Sequence, residues 1–183
     1  LDRYYWAALT YKADVIVRIT ADCPLIDPEV VDKVIRYFIT GNFDYVSNTN
    51  WEARKAVKPT YPDGLDTEVF SFRALERAWK EAEMLSEREH VTPYIWKHRE
   101  IFRIGLVDHD KDLSCMRWTV DYEEDLMFVR EVYERLYRED EVFHLEDVLN
   151  LLDEHPELMD INKGITRDEG YFKSLKKDGV RSG

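Results

Sequence analysis

The sequence predicts an α/β fold in which strands alternate with helices. Four of the five residues from Val15 to Ile19 are β-branched and apolar, as in a strand that is buried on both faces. A helix start follows at Asp27 and Pro28, and a second strand pattern follows that helix. A strand, a helix and a strand in this order indicate a right-handed βαβ unit.

Composition and charge limit the classes of protein to which this chain can belong. With 183 residues, 44% of them hydrophobic and 13% aromatic, it is long enough for one domain with a substantial core. The formal net charge of −12 argues against nucleic acid as a partner. No apolar stretch approaches the length of a membrane span, and the first residues do not form a signal peptide, so no membrane partner is expected.

The cysteines and the charged residues bear on the setting of the protein. Cys23 and Cys115 match no zinc or redox spacing, so a reduced protein in the cytoplasm is predicted, with a disulfide as the alternative. Charged residues make up 35% of the chain and glutamine does not occur, a composition that resembles that of thermophile proteins.

The first strand ends at a position typical of ligand binding. Residues 1–11 are predicted to form a helix, and the strand from Val15 to Ile19 runs into a turn that contains Asp22. Asp27 as N-cap and Pro28 as first helical residue then begin the next helix. Asp22 therefore follows the carboxyl end of a predicted central strand, where open parallel sheets bind their ligands. The alternative is that Asp22 only orders the turn.

Apolar periodicity predicts the later elements. The predicted helices run from Val30 to Ile39, from Phe72 to Ala82 with Ser71 as N-cap, from a capping box at Ser86–Glu89 up to Pro93, from Glu123 to Leu136, and from Leu145 to Leu152. The predicted strands lie at 44–47, 65–70, 101–107 and 116–120. Residues 48–58 are predicted to form a loop. The chain is thus divided into a domain at 1–156 and a largely polar tail at 157–183.

Two aspartates form a candidate metal site. Asp22 and Asp121 are far apart in sequence, yet each follows a predicted strand and precedes a predicted helix. Strand ends on the same edge of a sheet would bring both carboxylates into one crevice. Mg²⁺ prefers oxygen ligands and commonly takes one or two carboxylates together with substrate phosphates. The alternative is that both acids only cap helix N-termini.

Four cations could contact an anionic ligand: Arg18, Arg88, Lys97 and Arg117. Arg18 lies inside an apolar strand, where a lone charge is costly, so pairing with a buried acid is the alternative. Arg88 lies in the first turn of a predicted helix, where its charge opposes the helix dipole, so it would face a ligand or a partner carboxylate. The five histidines are scattered, and no Ser-His-Asp arrangement with a nucleophile turn occurs.

Five blocks of sequence resemble one enzyme family. The segment ITADCPLID at 19–27 is similar to the TGDCPLID segment of nucleotidyltransferases that activate sugars. The other blocks are DYVSNT at 44–49, YPDGLD at 61–66, SEREHVTPY at 86–94, and TVD with EDL at 119–126. The chain resembles, over nearly its whole length, the cytidylyltransferase-like family of spore-coat polysaccharide biosynthesis protein F. Relatives of that family are the cytidylyltransferases for sialic acid and 3-deoxy-manno-octulosonic acid.

The resemblance implies a Rossmann-like three-layer α/β/α fold of the nucleotide-diphospho-sugar transferase type. It also implies a homodimer formed through an inserted subdomain at about residues 59–100. Asp22 and Asp121 match the two aspartates that bind the divalent metal, here expected to be Mg²⁺. The substrate-binding residues that the resemblance or the charge pattern suggests are Arg18, Tyr61, Asp63, Gly64, Asp66, Arg88 and His90.

The resemblance also implies the reaction. A sugar hydroxyl attacks the α-phosphate of CTP and pyrophosphate leaves, in a pathway of surface polysaccharide or glycan synthesis. CTP and a sugar, by resemblance a sugar acid, are the expected partners.

Two departures from the family pattern concern Ala21 and the start of the fold. Ala21 stands where the family often has glycine. The family's first strand and its basic, glycine-containing nucleotide loop precede the region seen here, so the fold is expected to be incomplete at its N-terminus. The 183 residues are therefore expected to have weak or no transferase activity. The alternatives are a non-catalytic dimerisation or sugar-binding module and a metal-dependent glycosyltransferase of related architecture.

Overall fold

The computed structural model describes residues 1–49, 59–165 and 169–181. Its strands are β1 (Val15–Arg18), β2 (Tyr45–Ser47), β3 (Glu68–Ser71) and β4 (Ile104–Leu106). Its α-helices are α1 (Asp2–Tyr11), α2 (Pro28–Gly41), α3 (Phe72–Glu81), α4 (Leu85–His90), α5 (Pro93–Lys97), α6 (Glu123–Leu136), α7 (Leu145–Glu154) and α8 (Glu169–Arg181). A 3₁₀ helix (Pro156–Asp160) follows α7. The predicted loop at 48–58 lies, beyond Thr49, outside the described residues.

The four strands form one mixed sheet in the order β1–β3–β2–β4. β3 is antiparallel to both of its neighbours, whereas β2 and β4 are parallel. β1, β2 and β4 therefore run in the same direction, and their carboxyl ends lie beside the amino end of β3. We call this edge of the sheet, marked by Arg18, Ser47, Glu68 and Leu106, the C-edge.

Helices cover both faces of the sheet, as in a three-layer α/β/α fold. Val46 and Val69 belong to a core that they share with α2, α6 and α7. The residues next to them, Tyr45 and Phe70, belong to a second core with α1, α3 and α5. This division follows from the strand period, since successive side chains point to opposite faces.

In the sheet that the described residues form, β1 is an edge strand, so the prediction of a central strand buried on both faces is wrong. Among the described residues β1 pairs with β3 alone, and Val15 and Val17 are 42% and 39% exposed. A run of β-branched residues fits any pleated surface, so it identifies a strand without fixing its place in the sheet. The strand between β1 and β2 is β3, so the predicted βαβ unit has its two parallel strands separated by an antiparallel one.

The predicted start of α2 is confirmed. Pro28 is the first helical residue, and a carboxylate oxygen of Asp27 accepts a hydrogen bond from the Glu29 backbone N–H at 2.7 Å. The other oxygen of Asp27 accepts from the backbone N–H of Leu145 at 2.6 Å. This buried aspartate therefore caps α2 and the start of α7 together.

The predicted capping box at Ser86 is wrong. α4 begins at Leu85, so Ser86 lies inside its first turn. The Ser86 backbone N–H donates instead to the carboxylate of Asp178 on α8, at 3.1 Å. The N-terminus of α4 is thus capped from another helix. The predicted break at Pro93 is confirmed, because α4 ends at His90 and α5 begins at Pro93.

The segment before α6 and the buried face of α6 both differ from the predictions. Residues 116–120 contain no strand, only a single bridge between Arg117 and Asp63. α6 buries Asp125, Phe128, Val129 and Val132. Leu126, an apolar residue of the predicted 123–136 helix, is 37% exposed. The buried face of α6 therefore includes Asp125, whose side chain is fully buried in the ionic cluster described below.

The described residues after Glu154 include a 3₁₀ helix and α8. The 3₁₀ helix packs against α7 and α6, and α8 packs against α4. Within the described ranges no helix, α8 included, combines the length and the hydropathy needed to cross a membrane.

Candidate active site

Asp22 and Asp121 come together at the C-edge through backbone contacts. The carbonyl oxygen of Asp22 accepts a hydrogen bond from the Val120 backbone N–H at 2.8 Å and another from the Thr119 hydroxyl at 3.0 Å. Asp121 follows directly. The turn after β1 is thus joined to the segment before α6, which places the two acids on neighbouring stretches of chain.

Neither of these acids is the N-cap of a helix, so the alternative that they only cap helix termini does not describe them. Asp27 caps α2, and the cap of α6 is Tyr122. Asp125 accepts the backbone N–H groups of Asp121 and Tyr122, both at 3.1 Å. Asp121 therefore keeps a side chain that is 51% exposed.

Cys23 borders Asp22 on the core side. Its thiol lies 3.7 Å from a carboxylate oxygen of Asp22 and 3.3 Å from the Thr20 hydroxyl. Burial, with the nearby charge of Asp66 adding to it, raises the pKa of the Cys23 thiol to about 12. A thiol with so high a pKa stays protonated near neutral pH, so Cys23 is a poor nucleophile.

Arg117 lies behind Asp121 and binds three carboxylates. Its Nη2 donates to Asp121 at 2.7 Å, and its Nε and Nη2 both donate to Asp125 at 2.9 Å. Its Nη1 donates to Asp63 at 3.1 Å. Only 9% of the Arg117 side chain is exposed, so it acts inside the protein and not as the open anion contact that its charge suggested. This cluster, Arg117 with Asp63, Asp121 and Asp125, is called the Arg117 cluster.

Burial and ion pairing act in opposite directions on Asp125. Burial alone would raise its pKa, but the hydrogen bonds from Arg117, from the Asp121 backbone and from Asn162 outweigh that effect and lower the pKa below its usual value. Asn162 contributes by donating from Nδ2 to a carboxylate oxygen of Asp125 and to the carbonyl of Arg117, both at 2.9 Å.

The predicted substrate loop, residues 61–66, packs against the backbone of Trp118 and Thr119. Gly64 has a φ of +105°, and a Cβ atom on it would lie 2.5 Å from the backbone of Trp118. A neighbouring acid, Asp66, accepts from the Gly64 backbone N–H at 2.7 Å and from the Thr49 hydroxyl at 2.5 Å. The loop therefore brings Asp66 to the same edge of the sheet as Asp22.

Two other residues of that loop have structural contacts. Tyr61 is 1% exposed in the core, and its hydroxyl accepts from Lys33 at 3.0 Å. Asp63 is held in the Arg117 cluster.

Arg18 pairs with a buried acid, as the alternative for it supposed. Its Nη1 donates to Glu68 at 2.6 Å, and Glu68 also accepts from the hydroxyls of Tyr45 and Thr92. Nε of Arg18 is buried and has no hydrogen-bond partner among the described residues.

The other cations and His90 lie on α4 and α5. Arg88 donates to Asp2 at 2.8 Å, Lys97 lies 3.4 Å from Glu87, and His90 lies 3.0 Å from the Ser174 hydroxyl on α8. Burial lowers the pKa of His90. In the part of the chain that the structure describes, no hydrogen bond or ion pair joins Arg88, Lys97 or His90 to Asp22 or Asp121.

The donor set at the C-edge fits a magnesium ion that is shared with a phosphate ligand. Among the described residues no group of three or more His, Cys, Asp or Glu side chains could hold a metal ion alone. Two carboxylates are nevertheless what Mg²⁺ commonly takes when substrate phosphates complete its shell. Within the same ranges, the Asp22 carboxylate accepts a hydrogen bond from the Cys23 thiol alone, and that contact is long.

Sequence reasoning missed two residues that organise this site. Asp125 belongs to the EDL block, and an acid three residues into a helix is a signal for backbone capping, but this pattern does not indicate its contact with Arg117. Asn162 gave no signal, because an isolated asparagine in a polar segment has no periodicity or spacing that marks it.

Comparisons with known proteins identify relatives of the chain. A family profile described as cytidylyltransferase matches residues 1–158. The chain is 36% identical over 175 residues to an uncharacterised protein of Methanocaldococcus jannaschii, covering 93% of this chain and 66% of that one. It is 26% identical over 160 residues to the spore coat polysaccharide biosynthesis protein SpsF of Bacillus subtilis, covering 86% of this chain and 62% of that one.

A solved structure shares the fold. The cytidylyltransferase from Leptospira borgpetersenii superimposes with a TM-score of 0.79 at 28% identity, covering 91% of this chain and 66% of that one. The fold is therefore the Rossmann-like α/β fold that the resemblance implied. The chain spans about two thirds of the length of the proteins that it matches, between 62% and 66%.

Proposed function

Because the chain belongs to the cytidylyltransferase family, we propose that it carries the metal-binding side of a nucleotidyltransferase that activates a sugar, in particular a sugar acid, with CTP. The observation that carries this proposal is the pair of hydrogen bonds from Thr119 and Val120 to the carbonyl of Asp22. They join the two chain segments that bear the acids matching the family's metal ligands.

In the proposed reaction a sugar hydroxyl forms a bond to the α-phosphorus of CTP while the bond to the pyrophosphate oxygen breaks. Asp22 and Asp121 would hold a Mg²⁺ ion, which supplies charge neutralisation on the phosphates when it is bound. Asp22 and Asp121 would fix where the triphosphate lies, and the Arg117 cluster would keep Asp121 in place. The protein's share of catalysis is therefore mainly positioning.

Asp66 and Gly64 are the best-placed members of the predicted substrate loop. Asp66 is partly exposed and is oriented by Thr49 and by the Gly64 backbone. A carboxylate held in this way can accept hydrogen bonds from sugar hydroxyls. His90 contacts Ser174 on α8, and Arg88 contacts Asp2 and the carbonyl of Ala82 after α3. Both residues suit a role in packing better than direct contact with the sugar.

The pathway, the location and the assembly are proposed from likeness. The name of the Bacillus relative supports surface polysaccharide synthesis. Free thiols at Cys23 and Cys115 support a cytoplasmic location. A homodimer through residues 59–100 has the resemblance as its support.

Release of pyrophosphate tests the proposal. The chain is incubated with CTP, Mg²⁺ and a panel of sugars that includes sialic acid and 3-deoxy-manno-octulosonic acid. The Leptospira enzyme is assayed separately under the same conditions as a positive control. Where turnover occurs, the Asp22→Asn and Asp121→Asn variants should lose it by about 100-fold or more, since each removes a charged ligand of the metal. Asp153→Asn, on the exposed face of α7, is the control and should keep full activity.

If the chain shows no catalytic turnover, binding measurements test the proposed function. Calorimetry should then show CTP binding that requires Mg²⁺ and is lost in both active-site variants. Binding of a sugar without any metal dependence would identify a non-catalytic module instead. Preference for a complete sugar nucleotide over CTP would identify a glycosyltransferase.

A further inference from the structure

We propose that Arg117 and Asn162 are positioning residues of the metal site, with Arg117 fixing the side chain of Asp121 and Asn162 fixing Arg117 from behind. This inference rests on the proposed function, since it takes Asp121 as a metal ligand. It also gives the chain after Pro156 a part in the site.

The two carboxylate oxygens of Asp121 have different contacts. Nη2 of Arg117 holds Oδ2 at 2.7 Å. Among the described residues Oδ1 accepts no hydrogen bond, and half of the side chain is exposed. One oxygen is therefore anchored and the other is available to a cation, as in a ligand that is oriented by its outer partner.

The backbone of Asp121 is fixed independently of its side chain. Asp125, with a fully buried side chain, accepts the Asp121 backbone N–H at 3.1 Å and is itself held by Nε and Nη2 of Arg117. Arg117 thus restrains Asp121 at two points, directly through the carboxylate and indirectly through Asp125.

Asn162 closes this arrangement from the far end of the chain. Its Nδ2 donates both to Asp125 and to the carbonyl of Arg117, at 2.9 Å in each case, and the residue is 6% exposed. It follows the 3₁₀ helix, which packs on α6 and α7. The position of the segment around Asn162 is therefore coupled to the orientation of Asp121.

The charge of Arg117 requires a careful choice of variant. A guanidinium beside Asp121 weakens cation binding by its charge while improving it by orientation, so a neutral substitution would mix the two effects. Arg117→Lys keeps the charge and removes the planar fork that serves several carboxylate oxygens at once. Any loss of metal affinity in this variant then reports orientation.

Mn²⁺ alone is the probe, since carboxylate sites that suit Mg²⁺ also suit Mn²⁺. The full 183-residue chain is titrated with Mn²⁺, and the free Mn²⁺ is measured by electron paramagnetic resonance. Each dissociation constant is calculated for the concentration of folded protein, which circular dichroism gives. We expect Arg117→Lys to bind Mn²⁺ about 10- to 100-fold more weakly, the usual effect of losing an outer partner, with an unchanged stoichiometry. Asn162→Ala should bind more weakly as well.

Arg77→Lys is the matched control. Arg77 also pairs with an acid four residues ahead, Glu81, but on the exposed surface of α3. The Arg77→Lys variant should therefore bind Mn²⁺ with the same affinity as the unmodified protein. The inference is wrong if Asp121→Asn abolishes Mn²⁺ binding while both Arg117→Lys and Asn162→Ala bind Mn²⁺ as tightly as the unmodified protein, or more tightly. If Arg117→Lys does not fold, Asn162→Ala decides alone. Unchanged binding in Asp121→Asn would instead refute the metal site of the proposed function.

Discussion

At the scale of single residues, Gly64 decides how closely the substrate loop approaches the chain beside it. Its φ of +105° is a conformation that residues with a side chain rarely adopt, and a Cβ atom would lie within 2.5 Å of backbone atoms that cannot rotate away. The turn that carries Asp66 therefore depends on the absence of a side chain at this position.

Gly64→Ala should lower the free energy of unfolding by roughly 2–4 kcal/mol, because both the strained backbone and the clash act on the folded state. Urea denaturation measures this change. Gly179→Ala is the control, since a Cβ atom there meets nothing within 4 Å and the residue lies in α8, where alanine is favoured. Equal stability of the two variants would show that the loop relaxes without cost.

His144 makes the stability of the fold depend on pH. The hydrogen bond to the buried carboxylate of Asp27, at 3.2 Å, raises the pKa of His144 above its usual value. A raised pKa means that the protonated form is favoured in the folded state. The pair therefore contributes its full stabilisation below the unfolded-state pKa of about 6.5 and loses it as the pH rises through the raised value.

The variant His144→Gln isolates this contribution. The difference in unfolding free energy between the unmodified protein and the variant should shrink between about pH 6 and pH 8, as the charge of His144 is lost. Urea denaturation at several pH values gives that difference directly. A difference in unfolding free energy that stays constant, or grows with rising pH, would contradict a raised pKa for His144.

At the scale of elements, Asp27 joins two helices that are more than 100 residues apart in sequence. Its carboxylate accepts the backbone N–H of Glu29 in α2 and that of Leu145 in α7, and it is 3% exposed. Ser71 is the corresponding single cap, accepting the N–H of Ala74 in α3.

Asp27→Ala should therefore cost about 1–4 kcal/mol of unfolding free energy, about twice the 0.5–2 kcal/mol expected for the single cap lost in Ser71→Ala. Thermal and urea unfolding of both variants provide the comparison. Equal losses would mean that the second contact of Asp27 adds nothing to stability.

The same elements show what local sequence can and cannot predict. The start of α2 was predictable because Asp27 and Pro28 act on their own helix. The exposure of β1 and the buried face of α6 were not, since each depends on which distant segment packs against it. The prediction that Asp22 and Asp121 lie on neighbouring segments rested on two strand ends, one of which is not a strand, since residues 116–120 make only a single bridge. The Arg117 cluster joins Asp63, Asp125 and Asn162 through contacts that no sequence spacing indicates.

At the scale of the whole molecule, the free side of β1 is a weak point of the fold. Among the described residues its outer backbone groups have no strand partner, and Val15 and Val17 are exposed beside them. An open edge with apolar side chains is a template for further strand pairing. The chain as given should therefore self-associate as its concentration rises.

Val17→Lys should reduce this association, because a charge on the edge strand opposes the stacking of a second strand. Analytical ultracentrifugation over a range of concentrations measures the effect. Val142→Lys changes an even more exposed valine, at 67%, outside the sheet, and should leave association unchanged. The prediction fails if both substitutions act alike or if the unmodified chain stays monomeric.

The central place of β3 in the sheet also sets the order in which the protein can be assembled. During synthesis β1 emerges first but finds its partner only when Glu68, 50 residues after Arg18, has left the ribosome. β2 waits for the same strand, and the pairing of β2 with β4 comes later still. Contacts over such sequence distances form slowly, so the nascent chain exposes β1 to chaperones and to neighbouring chains until β3 has been synthesised.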